Sequence, residues 1–137
     1  MNFIDVNSIT DGDSSPLMLT NSVEIYQCLL DHGADINLNT WATTLIDNVM
    51  HDKYDLAAYL LSKGANVNLV NEDGNTALHI ALDTIDVNIT INIKMVELLL
   101  RYGADVCAKN NKGVTPLEIY PDIINHIPDD IKEPEFD

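Results

Sequence analysis

The segment LLDHGADIN, from Leu29 to Asn37, returns twice further along the chain, as LLSKGANVN at Leu60–Asn68 and as LLRYGADVC at Leu99–Cys107. In every copy a leucine pair stands shortly before a Gly-Ala dipeptide. Glycine at this place favours the left-handed conformation that ends many α-helices. Three copies of such a helix end therefore indicate a repeated structural unit.

A second string marks where each unit begins. It reads DGNTALH at Asp73–His79 and KGVTPLE at Lys112–Glu118, with looser versions SPLM at Ser15–Met18 and TTLI at Thr43–Ile46. A threonine hydroxyl can accept a hydrogen bond from an amide of the first helical turn, and proline is tolerated there because that amide has no helical partner. Each string therefore predicts the start of a short first helix.

The residues that lead into the glycine predict a second helix in each unit. Val23, Tyr26, Leu29 and Leu30 recur at steps of three and four, which places them on one helix face. Helices this short are not stable alone, so the helix pairs must stack and share a continuous core.

The spacing and strings together resemble the ankyrin-repeat family. Thr43 and Thr76 are 33 residues apart, which is the ankyrin period, and the strings match its T-P-L-H-x-A core. The resemblance covers nearly the whole chain and implies an all-α solenoid of stacked helix-turn-helix units with projecting turns. We expect a single domain over 1–137. Its units are expected at 8–38, 39–70, 71–109 and 110–127, followed by an acidic tail at 128–137.

The two end units depart from the regular pattern. Ser15 to Gly33 spans 18 residues, against 21 from Thr43 to Gly64, and such shortening is typical of an N-terminal cap. In the last unit, Pro121 and Pro128 oppose a normal second helix. We therefore expect a truncated cap there too.

The third unit is long, because 27 residues separate Thr76 from Gly103. About six residues are therefore inserted within Asp83–Asn92, on the ankyrin period. Apolar and polar residues alternate there from Ile85 to Ile93, which favours an ordered extended loop over 84–92 that belongs to the partner surface. A simple extension of one helix is the alternative.

Composition limits the kinds of partner. Seven Lys and Arg against 22 Asp and Glu give a formal net charge of −15, which repels nucleic acid and anionic lipid. We therefore expect a basic protein partner, no nucleic acid, no membrane, and a monomer when free. No apolar run approaches the roughly 20 residues of a membrane span, and the N-terminus does not resemble a secretory signal, so a cytoplasmic location is expected. Cys28 and Cys107 are expected to be reduced, and Cys107 to be a small buried filler.

The sequence offers no catalytic or metal-binding constellation. The histidines, His32, His51, His79 and His126, are scattered and form no metal-ligand motif. Neither phosphate-binding glycine motif occurs, so we expect no cofactor, no metal and no enzyme activity. His79 resembles the family's structural imidazole, which links neighbouring turns.

In the family that this chain resembles, partners touch the turn tips and the concave face of the first helices. The expected contact residues are Thr40, Trp41, Met50, His51, Glu72, Asp73, Asn75, Asp83, Thr84, Asn111 and Lys112. Trp41 stands where Gly74 and Gly113 stand in the later units, so we expect it outside the core as a contact residue. The alternative is that its ring folds back on its own unit. Glu72, Asp73 and Asp83 are expected to attract Lys and Arg.

These features predict a protein-protein interaction module. The first hypothesis is a small acidic inhibitor of a basic partner, for example an immunity protein that neutralises a toxin, since charge raises association rates. The second is a viral or intracellular-pathogen ankyrin protein that binds a host protein, because the Ile- and Asn-rich composition and the irregular long unit resemble those of poxviral ankyrin proteins.

Overall fold

The computed structural model describes residues 5–83 and 89–129 of the chain. In these ranges the helices are a 3₁₀ helix at Pro16–Leu19, α1 at Val23–Asp31, α2 at Thr44–Met50, α3 at Tyr54–Ser62, α4 at Ala77–Asp83, α5 at Ile89–Arg101, α6 at Pro116–Ile119 and a 3₁₀ helix at Pro121–His126. Extended pairing within the described ranges is limited to one isolated bridge between Val70 and Thr76. The all-α fold class is confirmed.

The first helices begin as their sequence strings predict. The hydroxyls of Thr43, Thr76 and Thr115 each accept a hydrogen bond from the amide three residues later, at 3.1 to 3.3 Å. Pro16 and Pro116 are the first residues of their helices. The caps satisfy amides that the helix cannot pair, and so fix where each helix starts.

The second helices end at the predicted glycines. Gly33, Gly64 and Gly103 have φ angles of +94°, +96° and +89°. In each unit the alanine after the glycine donates to the leucine carbonyl five residues earlier, at 2.9 to 3.1 Å. A left-handed residue allows this bond, which closes the helix end.

The helix pairs stack in register around one core. The first helices α2, α4 and α6 lie side by side, while α3 and α5 pack mainly on the first helix of their own unit. Fully buried side chains from successive units form the core, among them Tyr26, Leu45, Leu60, Leu78 and Leu99. This arrangement places the turn tips along one edge and buries α2 and α4 except for their last residues, Met50 and Asp83, which are exposed.

The third unit corrects the sequence prediction of an extended loop over 84–92. α5 begins at Ile89 and has 13 residues, against 9 in α1 and α3, so the segment 89–92 is helical. The steps of four and three from Ile89 to Ile93 and Val96 also suit one helix face, so the sequence here fits a helix as well as the alternating pattern. The alternative of a lengthened helix holds for these residues, whereas 84–88 lie outside the described residues.

The last unit is truncated as expected. α6 has only four residues, and the 3₁₀ helix that starts at Pro121 replaces a normal second helix. Its Ile123 is fully buried against the core, so the short helix still covers the end of the stack.

Candidate protein-binding surface

The turns that precede the first helices are stiffened by their own side chains. In three of them the leading residue, Thr10, Asn71 or Asn110, accepts hydrogen bonds from two amides of the turn at 2.9 to 3.3 Å. The amide of the same residue donates to the carbonyl four residues later, at 2.9 to 3.0 Å. A turn ordered in this way loses little conformational freedom when a partner binds.

Hydrogen bonds also join each turn to the next. They run from Thr40 Oγ1 to the Asp13 carbonyl at 2.7 Å, from the Glu72 amide to the Trp41 carbonyl at 3.2 Å, and from the Asn111 amide to the Asp73 carbonyl at 3.0 Å. We call the four linked turns, 10–14, 39–42, 71–75 and 110–114, the tip row. The structure therefore brings many of the expected contact residues into one bonded edge.

Gly74 lets the third and fourth turns approach closely. Its φ of +76° is left-handed, and a Cβ at this position would fall 2.7 Å from the amide nitrogen of Asn111. The Asn111 side chain also donates from Nδ2 to the Glu72 carbonyl at 2.9 Å. The turn therefore requires glycine for its backbone conformation and for the contact with its neighbour.

Trp41 corrects part of the sequence prediction. The residue is half-buried and its side chain packs against the hydrophobic core, so it does not project freely from the tip. Its turn is also shorter than the others, because the Thr40 amide donates to the Ala42 carbonyl at 3.3 Å. Unlike Gly74 and Gly113, Trp41 does not adopt the left-handed backbone conformation. The ring is both a packing residue and a partly exposed surface.

The end of α2 carries Met50 and His51, which are both exposed. His51 Nδ1 lies 2.8 Å from the Asp47 carbonyl oxygen and 3.4 Å from Asp47 Oδ1. Burial raises the pKa of the Asp47 carboxyl, and the positive charges of His51 and Lys53 oppose that rise. Asp47 is thus a poorly solvated acid beneath an exposed imidazole.

A cavity of about 370 Å³ lies between the third and fourth units. Its lining residues are Asp73, Asn75, Asp83, Asn110, Asn111, Lys112, Val114 and Ile119. Asp73 comes from the tip row and Asp83 from the end of α4, while the exposed Ile119 of α6 supplies an apolar wall. The cavity therefore offers two carboxylates, one cation and an apolar surface in one place.

The expected contact residues that do not line this cavity lie elsewhere on the surface or outside the described residues. Thr40 and Trp41 belong to the tip row, and Met50 and His51 to the end of α2. Thr84 lies outside the described residues. The site as a whole is an extended edge with one concave cavity.

One residue that the sequence analysis missed is Asn7. Its Oδ1 accepts from the Asp35 amide at 2.7 Å, as Asn37 Oδ1 does from the Asn66 amide at 2.8 Å. The signal was present in the sequence, because Asp5-Val6-Asn7 has the same form as the segment Asp35–Asn37. Asparagines at this repeat position therefore tie successive units together.

The described residues bear on three expectations, which concern metal sites, membrane spans and the cysteines. In that part of the chain, no group of three or more His, Cys, Asp or Glu side chains could hold a metal ion. No described helix combines the length and apolar character needed to cross a membrane. Both cysteines are free thiols, but Cys107 is exposed, so its predicted role as a buried filler is wrong. Its repeat position is the polar turn, which lies at the surface.

Family comparisons agree with this architecture. The family model for ankyrin repeats in many copies matches residues 45–90, and the model for the ankyrin repeat matches residues 73–111. With the stacked helix pairs and the bonded turns, these matches show that the chain belongs to the ankyrin-repeat family.

Two relatives of similar sequence come from a virus and a bacterium. The chain is 37% identical over 129 residues to an ankyrin repeat protein of fowlpox virus, covering 85% of this chain and 36% of that protein. It is 40% identical over 72 residues to an ankyrin repeat protein of Rickettsia felis, covering 53% of this chain and 30% of that protein. This chain therefore spans about a third of the length of these relatives.

Among solved structures, the chain resembles the crystal structure of the ankyrin repeat domain of Bcl-3, a member of the IkappaB protein family. The TM-score is 0.79 at 28% sequence identity, covering 90% of this chain and 55% of that chain. Ankyrin repeats bind protein partners, so a protein-protein interaction module is the function class that the fold defines.

Proposed function

We propose that this chain is a non-catalytic binding module that covers a basic surface of a partner protein with its tip row and the adjoining cavity. The observation that carries the proposal is the placement of Asp73 and Asp83 around one cavity, beside turns already fixed by hydrogen bonds. A partner Lys or Arg could place its aliphatic stem against Ile119 and its charged group near the two carboxylates.

Charge supports a basic partner. The tip row exposes four acidic side chains and one cation, namely Asp11, Asp13, Glu72, Asp73 and Lys112. The whole chain adds a net charge of −15, which raises the rate at which a positively charged surface arrives. Binding would replace water around these acids with paired charges at the rim, where such contacts mainly set rate and specificity.

Two biological settings suit such a module. Net charge supports an inhibitor that neutralises a basic protein, of which an immunity protein is one example. The relatives from fowlpox virus and Rickettsia felis favour the second setting, in which the module binds a protein of an infected host. The proposed place of action is the cytosol, where the exposed thiols of Cys28 and Cys107 would stay reduced.

The proposal is tested by affinity capture with matched charge variants. The double variant Asp73→Lys/Asp83→Lys replaces both carboxylates of the cavity with cations. The control double variant Asp31→Lys/Asp55→Lys changes the net charge by the same amount, at exposed positions of α1 and α3. A captured protein that is lost with the first pair and retained with the second supports the proposal. Equal loss with both pairs would leave net charge alone as the cause and contradict the assigned site.

A further inference from the structure

A second cavity, of about 600 Å³, is formed where α3, α5 and the end of the last 3₁₀ helix meet. α5 contributes Lys94, Glu97, Leu98 and Arg101, whose steps of three, one and three place them on one side of the helix. The other lining residues are Tyr54, which begins α3, and the segment 125–129. We call this space the α5 cavity. None of its lining residues belongs to the tip row.

The α5 cavity holds charges of both signs. Lys94 and Arg101 are two of the six Lys and Arg residues in the described ranges. The Lys94 ammonium group lies 4.3 Å from the centre of the Tyr54 ring, which attracts the cation to this side of the cavity. The carboxylates of the lining are Glu97 and Asp129. Equal numbers of both signs, in a chain with a net charge of −15, favour a ligand that is mainly acidic but also carries a cation.

Apolar surface accompanies these charges. Tyr54, Ile127 and Pro128 are half-buried, and Leu98 is 8% exposed. A small inorganic anion would leave this apolar lining in contact with water, whereas a peptide with an aromatic or aliphatic side chain would cover it. The lining therefore favours a peptide.

The segment 130–137, DIKEPEFD, has the matching composition. It lies outside the described residues and follows directly after Asp129, a lining residue of the cavity. It carries four carboxylates, one lysine and two large apolar side chains, Ile131 and Phe136.

The length of this segment suits the cavity. The chain from Asp129 to Phe136 can span up to about 23 Å, whereas the face of α5 that lines the cavity is about 10 Å long. The covalent attachment at the cavity also gives the segment a high effective concentration there. A contact too weak to hold a separate peptide can therefore hold this one.

We propose that the α5 cavity binds the acidic C-terminal segment of the same chain, residues 130–137, as an extended peptide. Its carboxylates lie near Lys94 and Arg101, and the Phe136 ring packs on the apolar lining. The bound segment closes the cavity to other ligands and stabilises this end of the stack by burying apolar surface. The inference goes beyond the proposed function and does not rest on it, because the tip row takes no part.

The test is nuclear magnetic resonance of the full chain with isotope-labelled phenylalanine. The chain has two phenylalanines, Phe3 and Phe136, so Phe136→Leu identifies the signals of the second ring. We expect nuclear Overhauser effects from the Phe136 ring to the Leu98 methyl groups or to the Tyr54 ring. They should weaken as salt rises to about 0.5 M, because salt screens the charges. Their absence at low salt would overturn the proposal.

Charge reversal tests which residues hold the segment. The double variant Lys94→Glu/Arg101→Glu should abolish these effects at low salt. Adding Glu133→Lys/Glu135→Lys to that variant should restore them, because the two sides again have opposite charges. Effects that survive in Lys94→Glu/Arg101→Glu would show that these cations do not hold the segment, and the proposal would fail.

The control double variant Lys63→Glu/Lys109→Glu makes the same change in net charge at exposed positions outside the cavity and should preserve the effects. A complete loss in this control would make net charge alone the cause and overturn the proposal. Contacts between the rings of Tyr26 and Tyr59, whose centres lie 6.4 Å apart, show that each variant is folded. If a cavity variant unfolds, the salt dependence of the native chain decides.

A mixture of labelled and unlabelled chains distinguishes a second copy as the source of the bound segment. We expect the effects within one chain only. Effects between labelled and unlabelled chains would assign the cavity to the segment of a second copy and overturn the proposal.

Discussion

His79 Nε2 donates a hydrogen bond of 2.9 Å to the Val114 carbonyl and so links the third unit to the turn of the fourth. The proton lies on Nε2 because Nδ1 accepts from the Thr76 amide at 3.1 Å. The ring is fully buried. The expectation of a structural imidazole between neighbouring turns is confirmed, and His79 is part of what holds the tip row in place.

His79→Ala should destabilise the chain by about 2 kcal/mol or more, because it leaves a cavity and removes the partner of the buried Thr76 amide and of the half-buried Val114 carbonyl. Urea unfolding followed by circular dichroism measures the loss. The matched control is His32→Ala, at an exposed histidine, which should change the free energy of unfolding little. Equal effects of the two substitutions would show that the link to Val114 contributes nothing.

Gly74→Ala should cost more stability than Gly113→Ala. Both glycines have a φ of +76°, but only at Gly74 does an added Cβ meet Asn111. The shared backbone strain should cost about 1 kcal/mol in each variant, and the contact should add a further loss at Gly74. The difference between their urea midpoints therefore measures how tightly the two turns are joined. Identical midpoints would contradict the close approach.

Asp47→Asn should stabilise the chain at neutral pH. Burial raises the pKa of the folded-state carboxyl above its ordinary value of 3.8, so between these two values the folded state binds more protons than the unfolded state. The free energy of unfolding of the native chain therefore falls as pH rises through that window. The advantage of Asp47→Asn should be full above the window and disappear below pH 3.8. An advantage that grows in acid would give the opposite sign and refute the cause.

Trp41→Ala should lower both stability and partner affinity, since the ring packs on the core and is partly exposed. We expect losses of about 2 kcal/mol in binding and about 1 to 2 kcal/mol in unfolding. Trp41→Phe, which keeps an apolar ring, should recover most of the stability. Complete unfolding of Trp41→Ala would make the residue a packing residue alone.

The parts of the fold that depend on local chemistry were predictable from the sequence. Thr43 and Thr115 cap helices and Gly33 ends one because these residues satisfy or relax the local backbone, whatever lies around them. The half-buried position of Trp41 was not predictable, since it depends on how a shortened turn packs against the core. The helical start of α5 at Ile89 was missed because the same residues carry both an alternating pattern that suits a strand and the helical steps from Ile89 to Ile93 and Val96.

The candidate site also has one part that the sequence predicted and one part that it did not. Alignment of the units placed Asp73 and Asn111 on neighbouring turns, and the structure joins them by a hydrogen bond. The sequence could not show that Asp83 and Ile119, from different helices, line the same cavity as Asp73. That meeting depends on how the helices stack, which spacing along one chain does not encode.

The central claim, that Asp73 and Asp83 steer a basic partner onto the tip row, is tested most directly by the association rate constant of the captured partner at increasing salt. Charges are screened over about 8 Å at physiological ionic strength, so the rate should fall steeply as salt rises to about 0.5 M. At low salt, the double variant Asp73→Lys/Asp83→Lys should associate more slowly than the wild type. The control double variant Asp31→Lys/Asp55→Lys should associate at a rate closer to that of the wild type. A rate that is independent of salt and equal in both variants would contradict the account.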